Sequence, residues 1–424
     1  MEKNTVNGIN TRDLEKLLIS VWQEVLNVPH VGLHDNFFDL GGDSIRAVRL
    51  LNRLQQQSEH VLYPTALFRA PTVSQMAEFL MKNHPECVYR LLEKDQYLLG
   101  PEVTHDSLLP SGSPVLTQER IAEISDALQH ALFRFSDIPG TEKKNRPAVF
   151  ILSPPRSGST LLRVMLAGNP ALFSPPELNL MCFNDMRSMK VIDSEIGFLS
   201  VGLERTLMEI FGVDVHKAKD MLEDFSQRKI SVQECYALLQ DSIGKRMLVD
   251  KSPLYCASLP VLRKAEVLFD RPYYIHLMRH PYAMVRSYLG VKMHLLFDLP
   301  FSGRERAEFL WLTGHQNILE LLRDIPARRQ FHVKFEDLVG SPKHTMEDLC
   351  QFLSIPFDDR MLQPYEGKKM TDGTYEGGPM IGDPRFFSHQ TINPEVAKKS
   401  KNKLDEPICE ATRKVALSLG YTDL

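Results

Sequence analysis

Residues 148–166 read AVFILSPPRSGSTLLRVML and constrain the fold more than any other segment. Ala148 to Leu152 form an apolar β run that Pro154 and Pro155 end. Arg156, Ser157, Gly158, Ser159 and Thr160 fill a turn, and Leu161 to Leu166 continue as an apolar helix start. A loop ending on a helix N-terminus offers unpaired backbone N–H groups and the positive end of a dipole, which suits an anion. Gly158 lets the backbone approach that anion, Arg156 adds fixed charge, and the hydroxyls add donors. The pattern G-x-x-x-x-G-K-[ST] is absent, so this is not a Walker A loop. Arg163, one turn into the helix, is expected to face the surface.

A second segment, YYIHLMRHPYAMVRSYL at 273–289, is again a strand, here ending at Arg279, followed by a Pro-started helix that carries Ser287. PPRSGST followed by RHPYAMVRS resembles the paired nucleotide signature of sulfotransferases that use 3′-phosphoadenosine-5′-phosphosulfate (PAPS). The resemblance implies that Arg156, Ser157, Gly158, Ser159 and Thr160 hold the 5′-phosphosulfate. It further implies that Arg279 and Ser287 hold the 3′-phosphate. A third match, EGGPMIGDPRFFSHQ at 376–390, resembles the Gly-rich loop that closes over the cofactor in that family. There Arg385 and the backbone at Gly377 and Gly378 are the candidates, although the usual Arg-Lys-Gly and Trp-Lys elements are missing.

The front of the chain is a separate small unit. Leu14, Leu17, Leu18, Val21, Trp22, Val25 and Leu26 follow helical i, i+3, i+4, i+7 spacing. In DNFFDLGGDSIRAVRLLNRL, Gly41 and Gly42 break the chain, and Asp43 and Ser44 open a second helix. A Ser at that place is often only a cap. The run FFDLGGDSI, however, resembles the attachment site of an acyl or peptidyl carrier protein. That resemblance implies a four-helix bundle with 4′-phosphopantetheine on Ser44, attached by a phosphopantetheinyl transferase.

The chain has 424 residues, 43% hydrophobic and 25% charged, with a net charge of −4. Two or three domains are expected. We place a carrier at 11–85, a linker at 86–115 and a sulfotransferase domain at 116–424. The charge gives no support to a nucleic-acid surface. Six scattered cysteines without a C-x-x-C pair read as free thiols with no zinc site. No run reaches the ~20 apolar residues of a membrane span, and MEKNTVNGIN lacks a signal-peptide core. A cytoplasmic location without membrane contact is expected. Strand-like and helix-like runs alternate after residue 148, which argues for a parallel sheet flanked by helices, and the sulfotransferase resemblance implies that this α/β domain has a P-loop-like fold.

Sulfuryl transfer to a hydroxyl needs a base, positive charge at the bridging and equatorial oxygens, and in-line positioning. No metal ligand set is called for. Lys251, in MLVDKSPLY, stands at the carboxyl end of a strand, where open α/β sheets bind ligands. Its KSP resembles the Lys-x-Pro element of the family, while pairing with Asp250 is the plain structural alternative. Glu177, in GNPALFSPPEL, follows Arg156 at nearly the distance at which tyrosylprotein-type sulfotransferases carry a catalytic Glu. His294 and His389 are rival bases. Glu305, Arg306 and Glu308 read as a charged helix face, and FEDL at 335–338 as a packing element.

Carrier and sulfotransferase in one chain imply that the substrate is the carrier's own hydroxyacyl cargo, delivered by polyketide or nonribosomal peptide modules. In some such pairs a β-hydroxyl is sulfated so that a thioesterase can eliminate sulfate and CO2 to leave a terminal alkene. A G-x-S-x-G elbow is missing, so a thioesterase would be a separate partner. Three alternatives stay open: action in trans on a free alcohol, a P-loop-type kinase, and a non-catalytic docking scaffold.

Overall fold

In the computed structural model the described residues are 5–6, 9–42, 46, 50, 51, 53, 54, 67, 70–93, 116–132, 143–196, 199–291, 293, 301–367, 369–372, 386, 390–398 and 407–424. The chain divides into two compact units, one running to residue 112 and the other starting at residue 113.

The first unit is helical apart from a short antiparallel ladder that pairs Thr5 with Asn10 and Val6 with Ile9. Helix α1, Thr11–Leu26, buries Leu14, Leu17, Leu18, Val21, Trp22 and Leu26, the stripe that the spacing predicts apart from Val25. Helix α2, Val73–Asn83, starts with a capping box between Thr72 and Gln75, which satisfies two otherwise orphaned donors. Helix α3, Pro85–Glu93, follows. Trp22 and Phe37 meet edge to face at 5.1 Å. The two glycines before Ser44 are both required by geometry. Gly41 has φ +89°, and a Cβ on Gly42 would lie 2.3 Å from the Phe37 carbonyl oxygen. Arg46, Leu50, Leu51, Arg53 and Leu54 are helical beyond them. Ser44 itself lies outside the described residues.

The second unit is built on a parallel five-stranded sheet. Its strands are β1 (Ala148–Leu152), β2 (Leu172–Phe173), β3 (Met247–Asp250), β4 (Tyr273–Met278) and β5 (Gln330–Lys334). Their order is β2-β3-β1-β4-β5. Every pairing is parallel, with Val149 opposite Val249 on one side and Ile151 opposite Ile275 on the other. The wholly apolar AVFIL run reflects this position, since a central parallel strand is covered on both faces. The short edge strand β2 escapes sequence reading because two residues carry no period.

Helices cover both faces. Helix α4 (Ser159–Ala167) follows β1, α5 (Val201–Phe211) lies between β2 and β3, α6 (Pro281–Gly290) follows β4, and α7 (Gly303–Arg323) precedes β5. The start of α7 is not the solvated charged face that its sequence suggests. Glu305 and Glu308 are buried, because Arg120 reaches Glu305 at 2.9 Å and Arg304 reaches Glu308 at 3.3 Å. All six cysteines are free and buried. No helix among the described residues is long and apolar enough to cross a membrane.

Beneath β4 lies a histidine cluster. His276 Nε2 and His315 Nδ1 are 2.9 Å apart, and the His332 ring is 5.5 Å from His276. Burial pushes His276 well below its usual range, His315 down to about 3, and His332 down. These rings are neutral in the folded protein, whereas the unfolded chain binds protons near pH 6.5. Stability is therefore present above pH 6.5 and is lost as pH falls from there toward 3. Each such ring adds a slope of up to about 1.4 kcal/mol per pH unit. Melting temperatures followed from pH 7.5 to 4.5 are expected to fall less steeply for His315→Gln than for the parent. Equal slopes would remove the cluster as a source of acid lability.

Candidate active site

Because the sheet is parallel, the loops after β1, β3 and β4 leave it at one end. These are three adjacent strands with β1 in the middle. The chain continues from β1 toward one edge, then from β3 back across to the other, which makes β1 a switch point of the kind where α/β sheets bind ligands.

The loop after β1 supplies an anion cradle. Arg156 has φ +64° and Gly158 φ +91°, so two left-handed residues flank Ser157. Such a turn gathers successive N–H groups into a concave nest. Helix α4 then begins at Ser159 with no side-chain cap. Its first amides are thus available for a ligand. Ser157 Oγ is fully buried without a hydrogen-bond partner among the described residues. Such a group in a native fold calls for an explanation, and a bound anion supplies one.

Gly158 has a second role that its sequence context does not reveal. A Cβ there would lie 2.2 Å from the Phe335 ring. Phe335, at the end of β5, carries the Arg279 guanidinium 4.4 Å above its ring centroid. The FEDL element read as packing therefore contributes the surface on which Arg279 rests. Arg279 Nη1 also donates to the Arg156 carbonyl at 2.8 Å, and Arg156 Nε donates to Ser287 Oγ at 3.2 Å. The two separate motifs, one on each side of the first crossover, are thus joined by direct hydrogen bonds. Trp311 on α7 fixes the base of this group by donating from Nε1 to the Arg279 carbonyl at 2.9 Å.

At the end of β3, the neighbour of β1 in the sheet, stands a charged pair. Lys251 Nζ contacts Glu177 Oε1 at 2.5 Å, with side-chain exposures of 1% and 30%. The alternative pairing of Lys251 with Asp250 is not the one found. Burial lowers the Lys251 ammonium and the Glu177 carboxylate partly restores it. Glu177 keeps one side open, so a substrate hydroxyl can reach the carboxylate while the lysine is sealed behind it. The backbone of Glu177 is tightly held, since a Cβ on Gly202 of α5 would stand 2.0 Å from its carbonyl oxygen.

Arg163 is not on the surface. It is 1% exposed and donates from Nη1 to the carbonyls of Ser174, at 3.0 Å, and Lys369, at 2.9 Å. Burial brings its guanidinium down to about 10. An arginine inside the apolar run LLRVML was the available signal, because a cation on an otherwise buried helix face must find partners. Arg205 on α5 holds Asp372 at 3.0 Å. With Arg163 it fixes the segment that runs into the third motif. Arg385, Gly377, Gly378, His389 and His294 lie outside the described residues.

The cradle suits an anion, and the Glu177 carboxylate of the pair stays partly open while Lys251 is buried. Residues 147–359 match the sulfotransferase family, and residues 16–80 match the phosphopantetheine attachment site family. Among solved structures, the sulfotransferase domain from the curacin biosynthetic pathway is 38% identical, with a TM-score of 0.61, over 66% of this chain and 99% of that one. The sulfotransferase domain from the Synechococcus PCC 7002 olefin synthase is 37% identical, with a TM-score of 0.61, over 68% and 99%. Among curated proteins, tyrocidine synthase 3 of Brevibacillus parabrevis is 41% identical over 101 residues, 24% of this chain. Surfactin synthase subunit 2 of Bacillus subtilis (strain 168) is 41% identical over 70 residues, 16% of this chain. The chain spans 1% and 2% of the length of those two proteins.

Proposed function

The chain belongs to the sulfotransferase family, and from that premise we propose that it sulfates a hydroxyl of an acyl chain carried as a phosphopantetheine thioester on Ser44. The observation that carries this reading is the open Glu177 carboxylate, held by Lys251 at the end of β3, the strand next to the one that leads into the nest.

PAPS fits the residues present. The buried, unpartnered Ser157 hydroxyl and the uncapped start of α4 suit the 5′-phosphosulfate. Arg279 and Ser287, both bonded to Arg156, suit the 3′-phosphate. When bound, PAPS supplies the sulfuryl group and an anionic leaving group. Arg156, Ser157, Gly158, Ser159 and Thr160 orient the donor and meet charge that develops at the reacting oxygens. Lys251 adds a buried cation at the same place. Glu177 takes the proton from the attacking hydroxyl at its carboxylate oxygen. The Phe335 ring packs against Gly158, and α5 packs against the backbone of Glu177. Arg385 is proposed to close over the donor.

Residues 11–85 are read as the carrier, 86–115 as the linker and 116–424 as the enzyme. Tethering raises the local substrate concentration to roughly millimolar, so modest affinity for the acyl group suffices. The likeness to a domain of an olefin synthase supports a β-hydroxyl as acceptor. It also supports a role in preparing decarboxylative elimination to a terminal alkene by a separate thioesterase. Upstream polyketide or peptide modules and a phosphopantetheinyl transferase are the implied partners, in the cytoplasm.

The test is intact-protein mass spectrometry of the chain loaded with a β-hydroxyacyl-pantetheine and given PAPS. A gain of one sulfuryl group on the arm is expected. Ser44→Ala is expected to abolish loading and arm sulfation completely while leaving PAPS affinity unchanged. PAPS binding without sulfation of the parent protein would point to a substrate in trans.

A further inference from the structure

Asp250 is a buried carboxylate one residue before Lys251 and 1% exposed. It accepts three hydroxyls: Ser252 Oγ at 2.8 Å on Oδ1, and Tyr255 OH at 3.0 Å together with Tyr236 OH on Oδ2. Burial raises the Asp250 carboxyl, and those hydroxyls and Lys251 oppose the rise.

Two of the three hydroxyls are turned toward the segment that carries Glu177. The Asn179 backbone N–H donates to Ser252 Oγ at 3.0 Å, and the Met181 N–H donates to Tyr255 OH at 3.3 Å. A carboxylate is an acceptor only. Its presence forces Ser252 and Tyr255 to point their protons inward, so each offers a lone pair outward to a backbone amide. The same strand end therefore carries Lys251 and grips the backbone just beyond Glu177. Asn179 has φ +53°, a conformation that asparagine adopts more readily than most residues but that still needs holding.

We propose that Asp250, acting through Ser252 and Tyr255, is the positioning residue that sets the register of Glu177 against Lys251. This inference rests on the reading of Glu177 as the base. It adds that the base is aimed from the strand that bears its cation. Loss of the clamp shifts the 177–181 segment and opens the ion pair without removing either charge.

The decisive variant is Ser252→Ala, which leaves both charges and Asp250 in place. In its crystal structure the Glu177–Lys251 contact is expected to lengthen beyond about 3.5 Å, outside hydrogen-bond range. kcat is expected to fall at least about tenfold. KM for the carried substrate and calorimetric affinity for 3′-phosphoadenosine-5′-phosphate should stay within about threefold. Adding Ser252→Ala to Glu177→Gln should lower kcat by less than about twofold more, because residues acting through one group are not additive. Gln240→Ala serves as the stability control. Gln240 bonds the Arg146 carbonyl at the opposite end of the sheet, and its variant should lower the melting temperature with kcat kept.

An unchanged Glu177–Lys251 contact in Ser252→Ala overturns the proposal. So does a kcat loss that multiplies with Glu177→Gln, or one matched by Gln240→Ala. Full turnover by Glu177→Gln alone overturns the base assignment instead, and the contact distance in Ser252→Ala then still decides the clamp.

Discussion

Glu177→Gln is expected to lower kcat by about 10²–10⁴-fold, the usual contribution of a positioned general base. The amide keeps the shape of the side chain but does not take up a proton at neutral pH. Affinity for 3′-phosphoadenosine-5′-phosphate should remain within about threefold, because the Glu177 carboxylate is bonded to Lys251, whereas Arg279 and Ser287 are bonded to Arg156. The same change removes the partner of a lysine that is 1% exposed. An uncompensated buried cation is destabilising by about 3 kcal/mol, the lower end of the range for breaking a buried pair. Loss of the carboxylate also drives the Lys251 ammonium further down, since Glu177 is what holds it up. Part of the strain is relieved by release of that proton. A lower melting temperature with intact nucleotide binding and lost turnover is the combined signature. Full turnover would transfer the base role to His294 or His389.

Arg279→Ala is expected to weaken binding of the 3′-phosphorylated nucleotide far more than that of its analogue lacking the 3′-phosphate. Arg279 has two tasks. It donates to the Arg156 carbonyl at 2.8 Å, where the loop is in its left-handed turn, and it rests on Phe335. Removing it loosens the nest, which weakens both nucleotides alike. Only the phosphorylated one also loses a charge-assisted hydrogen bond, which accounts for about 1.5–3 kcal/mol, or roughly 10–150-fold. Calorimetry with both nucleotides on parent and variant separates the tasks. The ratio of the two losses measures the 3′-phosphate contact alone, and a ratio of one would remove Arg279 from that role.

The parts legible in the sequence share one property. The strand–loop–helix of 148–166 and the strand–helix of 273–289 are contiguous, and each encodes its own backbone demands. Two prolines end a strand, a glycine sits where φ is +91°, and a Pro begins α6. The alternation of strands and helices gives the parallel sheet for the same reason. The front unit shows it again, in the stripe of α1 and in the paired glycines before Ser44.

Local sequence did not show which charges meet. Lys251 stands next to Asp250 in the chain yet pairs with Glu177, because alternate residues at a strand end face opposite ways. Asp250 is turned inward to three hydroxyls, and Lys251 outward to the site. Arg163 and Glu305 looked like surface charges, but distant segments cover them and supply their partners. The Phe335 ring beneath Arg279 comes from the last strand of the sheet. Sequence alone determined the two folds, the phosphate-type loop and the pairing of carrier with transferase, since these rest on contiguous motifs and on the families those motifs resemble. The tertiary structure decided the environment of each charge, since burial and ion pairing depend on surfaces brought together only when β1, β3 and β4 lie side by side.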